Sequence, residues 1–409
     1  MKFIHTADLH LDSPFLGLSQ LPASLWQTIY QSPMVALTRL VDEAIAEDVE
    51  FILITGDIYD RAERSISAQA LFLKQMMRLQ EAAIPVYLSY GNHDFLAGNQ
   101  QSLSLPPNVQ LFGPTVTAKK LMTKSQVRVQ ISGFSYANRA VVNDVVPDFP
   151  KRENGVDLAI GMLHGSLAGD QTHATYAPFT VSELLTKQYD YWALGHIHQR
   201  QILHEEHPWI IYPGNIQGRQ IKETDAKGYY LVNVDQAGIT PIFRPVAPIE
   251  WHRVFVTAHA QMSSAALMSA IFDRLAMLDQ PSSHVQLQLI GVTIKQADQL
   301  AADTIERLMN GSLLTLIQAQ SQLHGDTQGL NVVVRLEPIF ASSATNVGDE
   351  LDQTFWQIAA KQVFTDENLA QVAGQLFSEP EIAEALSQVS PTLPAAAKQI
   401  IKQTSEHTD

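Results

Sequence analysis

Phe51-Ile52-Leu53-Ile54-Thr55-Gly56-Asp57-Ile58-Tyr59-Asp60 is an unbroken apolar run that stops at a glycine and then presents a carboxylate. A short apolar run closed by a turn former reads as a strand buried on both faces. The same pattern recurs along the first half of the chain. Lys2–Ala7 runs into Asp8-Leu9-His10, and Val86–Tyr90 into Gly91-Asn92-His93-Asp94. Leu158–Met162 runs into Leu163-His164-Gly165, and Tyr191–Leu194 into Gly195-His196-Ile197-His198. Strands that all end in carboxylate, imidazole or amide groups predict an alternating α/β domain with its chemistry gathered along one sheet edge.

Asp8 and His10 stand two residues apart, so on an extended chain their side chains point the same way. His196 and His198 repeat that spacing. Asp57 leaves its strand where a carboxylate can bridge two cations with one oxygen each, and Asn92 adds an amide oxygen without adding charge. Mixed nitrogen and oxygen ligation with no thiolate suits Mn²⁺, Fe²⁺ or Zn²⁺. Two dications side by side are a standard means of splitting a phosphate ester with water, and they leave a net positive centre for an anionic diester. A lone Asp-x-His or His-x-His is a weak signal, because a single buried histidine is more often a satisfied core residue. Five such blocks in order, each closing an apolar run, are hard to assemble by chance.

The ordered set D-x-H, GD-x-x-D, GNH-[DE], H and GH-x-H resembles the calcineurin-like metallophosphoesterase superfamily. The wider stretches Ala7-Asp8-Leu9-His10-Leu11-Asp12-Ser13-Pro14-Phe15 and Tyr212-Pro213-Gly214-Asn215-Ile216-Gln217-Gly218-Arg219 resemble a narrower group. That group is the bacterial DNA repair exonucleases of the SbcD and YhaO type, relatives of the nuclease subunit of double-strand-break repair complexes. The resemblance covers residues 1 to about 245, and the remainder only by its layout. SbcD proteins usually carry Asp-Trp-His-Leu-Gly at the first block. This chain has Asp8-Leu9-His10-Leu11-Asp12, closer to YhaO, so the chemistry carries over more safely than the SbcD substrate.

The resemblance implies a four-layer α/β/β/α sandwich, a smaller α+β capping domain and a helical C-terminal segment. It also implies an Mn²⁺-dependent DNA exonuclease/endonuclease that works with a coiled-coil ABC-type ATPase of the SbcC/YhaN kind. On this reading Asp8, His10, Asp57 and His198 hold one Mn²⁺, and Asp57, Asn92, His164 and His196 the other. His93 acts as general acid or transition-state stabiliser, oriented by Asp94. Asp60 is expected to orient a neighbour rather than bind metal. Asn215 and Arg219 could touch the substrate phosphate, or simply belong to a turn at Pro213-Gly214. His5, opposite in strand parity to Asp8 and His10, is expected in the core, and His173, His204 and His207 on the surface.

The chain has 409 residues, 45% of them hydrophobic, enough for a sizeable core and two or three domains. No apolar run approaches the length of a membrane span. The first strand begins at Lys2, which leaves no room for a cleaved signal peptide, and zero cysteines suit a bacterial-type cytoplasmic protein. A net charge of −15 is awkward for DNA binding, which rests on phosphate neutralisation. A partner that supplies much of the DNA grip is the favoured resolution over a local basic strip.

Leu37, Leu40, Val41, Ala44 and Ile45 follow helical spacing, and a second helix is expected over 65–83 with Ile66, Ala70, Leu73 and Met77 on one face. Its extra apolar residues Leu71, Phe72 and Met76 fit a helix buried on two sides, or, by resemblance, a homodimer contact. Shorter strands are expected over 109–112, 127–134, 202–211 and 228–234. Prolines at Arg244-Pro245-Val246-Ala247-Pro248 mark a linker, so 1–245 is read as the nuclease domain and 250–340 as the capping domain. In the latter, strands from Trp251, over 284–290 and over 331–336 alternate with helices over 265–278 and 297–310. The remaining 341–409 is polar and helical in pattern, with Leu351, Phe355 and Ile358 at i, i+4, i+7. That stripe fits docking on the ATPase or packing on the cap equally well. Two other functions stay open: a phosphoesterase for a small molecule or phosphoprotein, and a non-catalytic scaffold for the ATPase.

Overall fold

In the computed structural model the apolar runs form two six-stranded sheets laid face to face. It describes residues 1–340 apart from 16–17, 19–20, 62–63, 99–102, 170–175, 279–280 and 324–330. The first sheet holds β1 (Lys2–Thr6), β2 (Phe51–Thr55), β3 (Val86–Ser89), β4 (Val109–Leu111), β11 (Gly228–Asp235) and β12 (Gly238–Pro245). The second holds β5 (Thr117–Met122), β6 (Arg128–Gly133), β7 (Leu158–His164), β8 (Tyr191–Gly195), β9 (Gln201–His204) and β10 (Trp209–Tyr212). Their orders are β12-β11-β1-β2-β3-β4 and β5-β6-β7-β8-β10-β9. The ligand-bearing strands are parallel, β1 to β2 to β3 in one sheet and β7 to β8 in the other.

Side-chain alternation explains the layering. Phe3, Phe51 and Leu53 meet Leu158, Ile160, Met162, Tyr191 and Ala193 between the sheets. Residues of opposite parity point outward. Ile4, Ile52 and Ile54 pack under α1 (Ala23–Ala46) and α2 (Ile66–Glu81), while Ala159, Leu163, Trp192 and Leu194 face away from the first sheet. That last face is covered by α3 (Val181–Leu185), a turn at Val146–Asp148 and connecting segments. The α/β/β/α sandwich is therefore present, with a thin fourth layer.

A third sheet, β13-β14-β15, comprises Ile249–Thr257, Leu287–Lys295 and Asn331–Ile339, all parallel. Its one face lies on α4 (Ser264–Leu275), α5 (Ala302–Met309) and α6 (Ser312–Leu323). Met1–Phe340 forms one compact unit.

Several expectations need correction. Residues 202–211 are not one strand but the antiparallel pair β9 and β10, because the polar stretch between them turns. Sequence reading missed β5, β12 and α6; the Arg244-Pro245 part of the expected linker closes β12, an edge strand where proline is tolerated. The core face of α2 is Ala68, Phe72, Met76 and Leu79, whereas Ile66, at 81% exposure, and Met77 face outward. The expected C-terminal helices and the Leu351/Phe355/Ile358 stripe lie outside the described residues, as does His173.

Candidate metal centre

The five blocks meet at the carboxyl ends of β1, β2, β3, β7 and β8, where the two sheets share an edge. The side chains do not converge by strand parity. β1 ends at Thr6, and Asp8, His10, Asp57 and His196 all have positive φ, between 42° and 99°. Left-handed backbone at non-glycine residues is strained by about 1–2 kcal/mol each, and such residues cluster at functional sites. Hydrogen bonds hold the turns: Asp8 N to Gly56 O at 3.2 Å and His10 N to Asp57 O at 3.1 Å. Gly56 and Gly91 make room, since a Cβ on either would lie within 2.6 Å of the His164 ring.

Two groups of inward-facing donors result. His10 Nε2 lies 3.1 Å from His198 Nε2, with Asp8 in the same cluster. Asn92 Oδ1 lies 3.1 Å from His164 Nε2 and 3.2 Å from His196 Nδ1. Asp57 Oδ2 sits between the groups, 3.9 Å from His10 Nε2 and 3.4 Å from His164 Nε2. Asp57 Oδ1 accepts from His93 N at 3.0 Å, so a single oxygen, rather than both, faces the two groups. Adjacent ligands of an ion at about 2.1 Å stand ~3 Å apart at a right angle, so these separations suit cation ligation.

The outer ring nitrogens support the same conclusion. His198 Nδ1 donates to Glu223 Oε1 at 3.0 Å, and His164 Nδ1 to the Thr55 carbonyl at 3.1 Å. His10 Nδ1 faces Asp60 Oδ1 at 3.1 Å. Each ring is thereby turned so that Nε2 points inward, as in metal-ligating histidines. Burial, with help from Arg219, lowers His10 to about 3, which keeps it neutral. Burial alone would also lower His164, but the Asp57 and Asp8 carboxylates outweigh it and lift this ring to about 9. Asp8 is pushed up to about 6 by burial. Burying so many ionisable groups costs several kcal/mol per charge unless opposite charge is supplied, which a divalent cation does. The residues fit a two-cation site.

His93 lines the cavity with Nδ1 donating 2.7 Å to the Asp60 carbonyl. The expectation that Asp94 orients His93 is wrong. The fully buried Asp94 carboxylate accepts from Gly91 N and Ile58 N, both at 2.8 Å, and so ties the two metal loops together. Asn215 is buried and its Nδ2 donates to Gln217 O and Glu223 Oε2, both 2.7 Å away, which fits the structural-turn alternative. Arg219 lines the cavity but is paired with Asp60. Glu223 went unnoticed in the sequence, as did Tyr136, whose hydroxyl holds the His164 carbonyl at 2.7 Å. Neither carries a local signal, because each reaches the site from a distant segment. His5 is a core residue, 2.9 Å from the Tyr191 hydroxyl.

Residues 1–200 match the calcineurin-like phosphoesterase family. Across 291 residues the chain is 42% identical to an uncharacterized metallophosphoesterase of Bacillus subtilis, YhaO, covering 71% of each. The chain belongs to the calcineurin-like phosphoesterase family. More distant relatives are DNA double-strand break repair proteins named Mre11. The one from Sulfolobus acidocaldarius is 26% identical over 49% of this chain and 50% of its own length. That of Methanococcus maripaludis is 23% identical over 56% of this phosphoesterase and 62% of its own length. The centre opens to a cavity of about 510 Å³, also lined by one loop that carries Arg219, Gln220, Lys222, Glu223, Asp225 and Lys227.

Proposed function

We propose that this phosphoesterase is a DNA exonuclease/endonuclease that hydrolyses phosphodiester bonds with two divalent cations, Mn²⁺ being the expected metal. The reading is carried by the convergence of Asp8, His10, Asp57, Asn92, His164, His196 and His198 beside one open cavity. One cation would be held by Asp8, His10, Asp57 and His198, and the other by Asp57, Asn92, His164 and His196. When bound, the pair polarises phosphoryl oxygens and provides a nucleophile at neutral pH.

The protein's own groups do the rest. The Asp60 carbonyl fixes the proton on His93 Nδ1, so the imidazolium form delivers a proton from Nε2 to the leaving oxygen. Asp94 keeps Gly91 and Ile58 in register, which sets Asn92 and Asp57 against each other.

The choice of DNA is supported by the repair proteins among the relatives. A net charge of −15 favours a coiled-coil ABC-type ATPase of the SbcC/YhaN kind as the partner that adds grip, docked through residues 341–409, in the cytoplasm. The exposed Ile66, Ala70 and Met77 of α2 suit a homodimer contact, and the β13–β15 sheet serves as the cap. Digestion of end-labelled duplex and single-stranded DNA with Mn²⁺, beside a chromogenic diester and nucleotide monoesters, tests the reading. Shortened labelled strands are expected. Cleavage of monoesters alone would instead mark a small-molecule phosphoesterase, and no hydrolysis of any substrate a scaffold.

A further inference from the structure

The face of the three-stranded sheet turned away from α4–α6 changes character along its length. Ile249, Trp251, Leu287 and Leu289 are covered by Phe15, Ile29 and Ile221. Further along, Arg253, Phe255, Thr257, Lys295, Arg335 and Ile339 are exposed on the same face, around a buried Thr293. Arg253, Gly291 and Arg335 form one cross-strand row, Phe255, Thr293 and Glu337 the next, and Thr257, Lys295 and Ile339 the last. Phe255 is 44% exposed, with the Arg253 guanidinium 5.5 Å and the Lys295 ammonium 4.9 Å from its ring centroid. Glu337 pairs with Arg335 at 3.0 Å and lies 3.8 Å from Arg253, so the face keeps a net positive charge. That is unusual in a chain of net charge −15.

The exposed residues begin beside the loop that also lines the cavity. Ile221 packs so closely over Gly291 that a Cβ there would lie 2.5 Å from it, and its neighbours Gln220 and Lys222 line the cavity. From Gly291 to Lys295 the strand spans roughly 13 Å, room for about two nucleotides of extended strand. Aromatic side chains among cations on an open sheet are a general platform for unpaired bases, which stack on the ring while the phosphates meet the charges. We propose that this face is a docking platform for single-stranded DNA, with a base stacked on Phe255 and its phosphates on Arg253, Arg335 and Lys295. The strand would run past Lys222 to the metal centre. This rests on the nuclease reading above and adds that the strand entering the cavity is unpaired.

The test uses the full chain and fluorescein-labelled oligothymidine, with a duplex of equal length alongside, read by anisotropy in EDTA. Phe255→Ala and, separately, Lys295→Glu are expected to weaken oligothymidine binding about tenfold and duplex binding much less. Phe255→Trp should restore parental affinity, which a merely structural role for Phe255 would not predict. Hydrolysis of a chromogenic diester with Mn²⁺ should stay at the parental rate in all three variants. Parental affinity for oligothymidine in both Phe255→Ala and Lys295→Glu overturns the platform. If such variants also cleave DNA normally, the nuclease reading survives that loss. A parent that binds and cleaves no DNA, yet hydrolyses the diester, overturns both. Loss of self-association rather than of DNA affinity in Phe255→Ala would mark the face as a protein contact and overturn the proposal.

Discussion

His93 shares the cleft with four other histidines but has a different proposed task. His10, His164 and His198 are each held from behind by a carboxylate or carbonyl and aim Nε2 into the ligand clusters. His93 is held the same way by the Asp60 carbonyl and stands beside His10 and Asp60, but seven other ligands already supply both cation positions of the proposed centre. His93→Asn should therefore leave metal stoichiometry unchanged and lower the rate by about 10²–10⁴-fold. The deficit should shrink for a nitrophenolate leaving group, which needs little protonation; equal deficits for good and poor leaving groups would point to phosphate positioning. His164 gives a pH prediction. Its pKa is raised to about 9, so below that pH the metal-free ring carries a proton that a cation must displace. Metal affinity should climb with pH up to about 9 and level off above it. Calorimetry in buffers of differing ionisation enthalpy should show proton release near pH 7.5; a flat profile contradicts this. The ligands were legible because each sits in a short motif at a strand end. Glu223, and the burial of Asn215, were not, since both depend on a loop folding back over residues far earlier in the chain.

The helix α2 shows where periodicity stops informing. It carries two apolar stripes, Ile66/Ala70/Leu73/Met77 and Ala68/Phe72/Met76/Leu79, and a 3.6-residue period fits both. The stripe with the larger buried volume wins the core, because burial scales with apolar area and Phe72 contributes most. Phe72→Ala should cost about 3–5 kcal/mol in urea unfolding, while Ile66→Ala should change stability by less than about 0.5 kcal/mol in the monomer. Comparable losses from both would mean that the helix is covered on two sides. Strands fared better where apolar runs were long and bounded by glycine. The alternating β5 lies on a sheet edge, and its paired lysines, Lys119 and Lys120, gave it no apolar signature.

At the scale of the whole molecule, two stacked sheets bring five strand ends from distant parts of the chain together at one edge. The ordered motifs made that architecture legible, because ligands on separate strands can meet only if the strands share an edge. How the sheets would be covered was less legible, since the fourth layer is mostly irregular chain. Among the described residues no helix is long and apolar enough to cross a membrane. Asp57 Oδ2 lies between the ligand groups, 3.9 Å from His10 Nε2 and 3.4 Å from His164 Nε2, so a two-cation centre needs this carboxylate as a shared ligand. Titration of the metal-free protein with Mn²⁺ by calorimetry tests this directly. The parent should bind two ions per chain, and Asp57→Ala should weaken both, since the remaining ligands shield the two charges from each other less well. Two ions bound by Asp57→Ala as tightly as by the parent would contradict the shared centre.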